Sequence, residues 1–189
     1  MAIYHLSAKL FSRGNNHSAV AAAAYRSAEK LYDERQDKTL DYSRKQRVLH
    51  TEIIAPDIVP KWATEREALW NNVEAAEKRK DAQVAREVEV ALPRELPPDA
   101  HQILIREFVQ NEFISRGMIA DVAIHESIAG DGATNPHAHI MLTTREITLE
   151  GFGKKNRDWN RKELMEAWRE SWATHTNQYL EAIHSDQRI

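Results

Sequence analysis

The chain of 189 residues contains no cysteine. That absence excludes a disulfide scaffold, a thiol nucleophile, an iron–sulfur cluster and any zinc finger with Cys ligands. A bound metal must therefore be held by His and carboxylates. No run approaches the roughly 20 apolar residues that span a bilayer, and MAIYHLSAKL lacks the basic stretch and apolar centre of a signal peptide. The expected compartment is the cytosol, without membrane insertion. Glycine and proline number six each, and they form no linker, low-complexity tract or repeat. A glycine-rich strand-to-helix phosphate turn is also missing, which speaks against a doubly wound parallel fold. Charge of one sign is not in excess either: 26 Lys and Arg face 29 Asp and Glu, a net −3. A protein that coats nucleic acid through bulk electrostatics is thereby disfavoured.

What is present describes a globular domain. Hydrophobic residues make up 42% and charged ones 29%, and a chain of this length buries about 70% of the surface its unfolded form exposes. One domain over residues 1–189 is the expectation. Charge is unevenly spread, because residues 1–50 carry nine Lys and Arg against five Asp and Glu. The first quarter of the chain is locally basic.

Periodicity predicts strands over Ile3 to Lys9, Val48 to Ile54, Val84 to Leu92, Ile119 to Ser127 and His137 to Thr144. Helical spacing predicts helices over His17 to Glu34, Trp62 to Lys80, Pro97 to Ser115 and Asn160 to Ile183, with Pro97 and Pro98 suiting a first turn. Turn-rich stretches fall at Arg13 to Asn16, Ala55 to Pro60, Pro93 to Asp99, Ala129 to Pro136 and Gly151 to Asp158. The loop GDGATNP suits an antiparallel hairpin with an extended connection. The class expected is α+β, a central antiparallel β-sheet flanked by helices. Trp168 and Trp172, on one helical stripe with Leu164 and Tyr179, are expected in the core.

Side chains at i and i+2 share a strand face, so His137 and His139 of PHAHIML project together. On the preceding strand Asp121, Ala123 and His125 share a face, and a hairpin would bring His125 to the pair. Three imidazoles on a rigid sheet form an open site for a divalent cation, although ligand type alone leaves its identity open among Zn, Ni, Cu and Fe. The alternative is a polar sheet face without metal. Glu87 and Glu89 share a face of their own strand. They read either as partners of such a site, fixing a ligand tautomer or accepting a proton, or as solvated surface residues.

Tyr25 and Tyr32 stand seven positions apart in one predicted helix, hence on nearly the same face, with Arg26, Lys30 and Arg35 nearby. Either they are core aromatics or one is a nucleophile. A phenol attacks poorly unless metal or base assists, but its aryl phosphate ester stays reactive, so a bond cut this way can be remade.

MAIYHLSAKLFSRGNNHSAVAAAAYRSAEKLYDER, DAQVAREVEVALPRELP and IHESIAGDGATNPHAHIML, in that order, resemble the MobA/MobL relaxases that start plasmid conjugation. DYSRKQ, LWNNVEAAEKRKDAQVARE, SRGMIAD and EGFGKKNRDWN are similar to the TraA and staphylococcal nicking-enzyme branch. The resemblance implies the HUH endonuclease fold over residues 1–189, a relaxase domain that relatives often extend with further segments. It implies Tyr25 as the transesterifying residue, His125, His137 and His139 as metal ligands, and Glu87 as the acidic residue beside them, with Glu89 as a second. Tyr32 is left as either a second nucleophile or an aromatic wall beside Tyr25, and the wall is favoured. The implied reaction nicks one strand at an origin of transfer and leaves a 5′-phosphotyrosine and a free 3′-OH. It needs a divalent ion, Mg²⁺ or Mn²⁺ in the cell with Zn²⁺ or Ni²⁺ acceptable in a crystal, and no nucleotide cofactor. Implied partners are the origin single strand, accessory relaxosome proteins, a coupling protein and a type IV secretion system. A DNA groove is expected to use Arg13, Arg26, Arg44, Lys45, Arg47, Lys154, Lys155 and Arg157. An HUH replication initiator and a nuclease using water are the alternatives.

Overall fold

The computed structural model describes residues 4–189, and of Asn15 the backbone only. Ile3, where the first strand was expected to begin, lies outside the described residues. The strands of the main sheet are β1 (Leu6–Ser12), β4 (Val48–Ile54), β5 (Gln83–Ala91), β6 (Ala120–Ile128) and β7 (Thr134–Leu142). Two short hairpins are formed by β2 (Lys30–Asp33) with β3 (Lys38–Asp41) and by β8 (Arg145–Thr148) with β9 (Gly151–Lys155). The helices are α1 (Ala19–Ser27), α2 (Arg66–Ala75), α3 (Pro98–Glu112) and α4 (Lys162–Ala182). Sheet order is β1-β5-β7-β6-β4, and every pairing in it is antiparallel. The α+β expectation holds. Among the described residues no helix is long and apolar enough to cross a membrane.

Both sheet faces are covered, but not equally. On one face Val88, Val90, Val122, Ile124, Ile140 and Leu142 meet α3 and α4 through Phe108, Phe113, Trp168 and Trp172. Both tryptophans are buried, as expected. On the other face α1 and α2 cover Ala85 and Met141 with Ala19, Ala23, Leu69, Trp70 and Val73. Small alanines let α1 lie close on the strands. Further along the same strands that face turns polar, and there the helix ends.

Three expectations are corrected. The helix expected over His17 to Glu34 starts where Ser18 caps it, its hydroxyl accepting from the Ala21 amide at 3.2 Å, but stops at Ser27. Ala28 adopts a left-handed conformation, φ 57°, which ends a helix, and the next residues alternate with period two: Lys30 and Tyr32 exposed, Leu31 and Asp33 buried. Leu31 pairs with Leu40 across the hairpin, and both join the core under α1. Glu65, in extended conformation, divides the helix expected over Trp62 to Lys80 into a 3₁₀ turn, Lys61–Thr64, and α2. The stretch from Gly151 read as turn-rich instead contributes β9, because Phe152 packs on Trp62.

Candidate active site

The β6–β7 hairpin sets His125 directly across from His137 and Ala123 across from His139. On the other side of β7, Glu89 faces His139 and Glu87 faces Met141. Register thus gathers the three histidines and two glutamates on one patch of the polar face. The imidazole centroids lie 4.8 Å (His125 to His139), 5.2 Å (His137 to His139) and 5.6 Å (His125 to His137) apart. One nitrogen from each ring falls within 4.8 Å of the other two.

Each ring also has one nitrogen tied down by a hydrogen bond. His125 donates from Nε2 to the Arg26 carbonyl at 2.6 Å, His137 from Nδ1 to the Asn135 carbonyl at 2.9 Å, and His139 from Nδ1 to Glu87 Oε1 at 2.8 Å. Those oxygens can only accept, so the hydrogen of each neutral ring is fixed there and the remaining nitrogen keeps its lone pair. Second partners of this kind orient metal-ligating imidazoles and make them more basic. Burial pushes the His125 pKa down to about 4, with Lys45 and the other two histidines adding to the effect and the Arg26 carbonyl opposing it. It is neutral at pH 7, as a ligand must be. The donor set fits a divalent cation.

Burial alone would raise the Glu87 pKa, but the hydrogen bond from His139 and the Arg26 guanidinium outweigh it and hold it at about 2. Arg26 binds the carboxylate directly, and Lys9 approaches at 3.8 Å. So poor a base is suited to orienting His139 rather than to accepting a phenolic proton. Glu89 lies more open, 3.8 Å from His139 Nδ1.

Tyr25 sits in the last turn of α1, half exposed. The Lys45 ammonium stands 3.6 Å from its ring centroid and donates to its carbonyl at 2.9 Å, while Tyr42 meets the ring edge-on at 5.3 Å. The next residue, Arg26, touches the cluster twice, through its carbonyl on His125 and its guanidinium on Glu87. A helix C-terminus carries partial negative charge, which favours a cation at this place.

Tyr32 is not on this helix. It lies on the outer face of β2, its hydroxyl donating to Asp37 at 2.5 Å, and that bond pushes its pKa up. The aromatic wall of Tyr25 is Tyr42. Arg13 is corrected too: it is buried on Glu74 at 2.6 Å and on the Glu74, Glu77 and Arg79 carbonyls, with no face for DNA. Arg44 and Arg47 are exposed on the segment carrying Lys45. Lys154 and Arg157 are exposed as well, whereas Lys155 is held by Glu77 and the Gln83 carbonyl. Gln83 lies four strand positions from Glu87, roughly 13 Å, so these last three cations are not part of the cluster. Asp121 shares the His125 face but is an anchor, bound by Arg66 and the Trp70 indole. Sequence reasoning missed Lys9, Tyr42 and the Arg26–Glu87 contact, which join segments far apart in the chain.

The five-stranded antiparallel sheet flanked by helices is consistent with the HUH relaxase fold. The structure described as "Molecular Basis of Vancomycin Resistance Transfer in Staphylococcus aureus" superposes with TM-score 0.87 and 36% identity over 99% of this chain and 97% of that one. The conjugative relaxase TrwC, in metal-bound complex with oriT DNA, shares the fold at TM-score 0.60 and 9% identity, over 95% of this chain and 70% of that one. The MobA/MobL family signature matches residues 17–189, and the chain belongs to that family. The conjugal transfer protein TraA of Agrobacterium fabrum is 45% identical over 165 residues, 82% of this chain and 14% of TraA. The mobilization protein MobL of Acidithiobacillus ferridurans is 38% identical over 177 residues, 82% of this chain and 46% of MobL. The chain spans less than half the length of either.

Proposed function

We propose that this domain is a relaxase that nicks and rejoins one DNA strand at an origin of transfer through Tyr25. The observation that carries the reading is the seat of α1: the residue after Tyr25 is hydrogen-bonded to His125, in a cluster whose three rings each keep one nitrogen free. His125, His137 and His139 would hold a divalent ion, Mg²⁺ or Mn²⁺ in the cell, which when bound polarises a phosphate and stabilises charge on its nonbridging oxygen. Lys45 and Tyr42 fix the Tyr25 ring, and Arg26 adds a cation beside the reacting phosphate. The Tyr25 oxygen bonds to phosphorus, the bond from phosphorus to the 3′ oxygen breaks, and the phenolic proton ends on the departing 3′-OH. Nothing is oxidised, and the same atoms run backwards to rejoin the strand. Glu87 holds His139 in the required tautomer. Further partners proposed are accessory relaxosome proteins and the coupling and secretion machinery of a donor cell, with the nick made in its cytoplasm.

The test is a denaturing gel of the protein incubated with a labelled single strand of its origin and Mg²⁺ or Mn²⁺. Wild type should form a covalent adduct and Tyr25→Phe none. Cleavage by both proteins without an adduct would make water the nucleophile.

A further inference from the structure

The main sheet ends on one side at β4, and among the described residues no further segment pairs with its outer edge. An edge strand holds out a row of unpaired N–H and C=O groups, which proteins ordinarily blunt with a bulge, a proline or a lysine. At the other edge β1 carries Lys9 and a register shift between Phe11 and Ser12. On β4 the register shift falls between Val48 and His50, and from His50 to Ile54 there is neither lysine nor proline. That stretch is a regular and unguarded edge.

Beside it runs a groove of about 670 Å³ between β4 and α3, whose lining includes Ile54, Pro56, Asp57, Val59, Arg106 and Glu107. Ile54 and Val59 are only half-buried, although each packs against one of the two cores. Helical spacing puts Ile103 on the same stripe of α3 as Arg106, Glu107 and Gln110, and all four are exposed. Ile58, between two lining residues, is 70% exposed. The charges along the groove do not balance. Arg106 is already held by Glu52, with both carboxylate oxygens 2.9 Å from its Nε. Among the described residues Asp57 and Glu107 have no cationic partner, and Glu107 accepts from the neutral Tyr179 hydroxyl at 2.8 Å.

We infer that this groove docks an extended segment of a partner protein, added to the sheet as a strand beside β4, with an apolar side chain over Ile54 and Val59 and lysine or arginine beside Asp57 and Glu107. Main-chain bonds to an open sheet edge give such a contact its affinity, and the side chains on one face of the added strand give its preference. A nucleic-acid strand is the wrong occupant, because its phosphates would meet two unmatched carboxylates. A second copy of this chain is no better suited, since pairing β4 with itself sets one acidic edge against another. The register also separates the groove from the histidine cluster. His50 lies opposite Ile124 and shares its face of the sheet with Glu52, beside α3, whereas His125 projects from the other face, where its ring meets the end of α1. A partner held at β4 leaves the cluster open.

The experiment titrates the isotopically labelled protein with a blocked peptide that has valine at its centre, a lysine two places away on each side and threonine at every other place. Valine and both lysines then share one face of the strand, and the pattern reads alike in both directions, so strand polarity does not matter. The amide resonances of Thr51, Glu52, Ile53 and Ile54 should shift and saturate below about 1 mM peptide. Exchanging the lysines for glutamates should weaken binding by about tenfold or more. Flanking the valine with prolines, which cannot donate to a ladder, should abolish it. The double variant Asp57→Asn with Glu107→Gln removes two exposed charges, keeps an acceptor for Tyr179 and should weaken the lysine peptide by about fivefold with the protein still folded. No binding of the lysine peptide by 1 mM, binding that leaves the β4 amides unmoved, or equal binding of the glutamate or proline peptide overturns the proposal. β4 amides that move with protein concentration alone would make a second copy the occupant, and overturn it too.

Discussion

Glu87 is the residue on which the cluster turns, because it meets His139, Arg26 and Lys9 at once while almost wholly buried. Replacing it with Gln keeps an oxygen for the His139 N–H but removes the charge that balances two cations. Partners of metal-ligating histidines are worth about 10- to 100-fold in metal affinity. Glu87→Gln should therefore weaken Mn²⁺ binding by about that factor in calorimetry, with single-strand DNA affinity changed less than about twofold. A wild-type Mn²⁺ affinity would remove the orienting role. Arg13 illustrates the opposite kind of cation. Its guanidinium compensates Glu74, which also accepts from the Ala19 amide at the start of α1. Arg13→Ala strips one partner from a buried carboxylate and should cost about 3 kcal/mol in urea unfolding, with Arg35 still on Glu74 at 3.1 Å. A surface cation would cost almost nothing.

Among elements, α1 decides the site, since its N-terminal cap and its C-terminal stop fix where Tyr25 comes to lie. The stop is made by Ala28 at φ 57°, a conformation that favours glycine over residues with a Cβ. Ala28→Gly should stabilise the fold by roughly 0.5 to 1 kcal/mol in urea titrations, after the added freedom of the unfolded chain is subtracted, and leave adduct formation intact. A loss of stability would mean that the Ala28 methyl packs more than its backbone strains. The same junction shows what was legible. The alanine run and Ser18 announce a helix, yet nothing local marks Ala28 as its end, and the charged KLYDER looks helical until Leu31 finds Leu40. The hairpin bearing the three histidines was legible because period two and a short loop act locally. Its loop proved shorter than expected, since pairing runs on to Ile128 and Thr134. Tyr42 and Arg26 were not legible as site neighbours, because their partners are set by α1 crossing the sheet and not by spacing in the sequence.

At the scale of the whole molecule, two of the titrating groups are histidines held neutral by burial. His101, 5% exposed, donates to the Pro93 carbonyl at 2.7 Å, and burial pushes its pKa below the usual value against that bond and nearby carboxylates. His125 is pushed down to about 4. Once unfolded, both take up a proton near pH 6.5. Above that pH neither contributes; between 6.5 and the lowered values the unfolded chain binds more protons, so stability rises with pH and is lost as pH falls. Glu87 acts lower, with stability present above about 4.5 and lost as pH falls through about 2. The metal-free protein should therefore be flat in urea stability above about pH 7 and lose roughly 2 to 3 kcal/mol through His125 alone by pH 4.5, with the share of His101 on top of it, before the carboxylate limb begins. His101→Gln, which keeps a donor for Pro93 but cannot charge, should flatten part of that slope, and the part remaining belongs to His125. Stability held level from pH 7 to 5 would show that both rings charge freely in the folded protein, which the burial of His125 beneath the end of α1 does not allow.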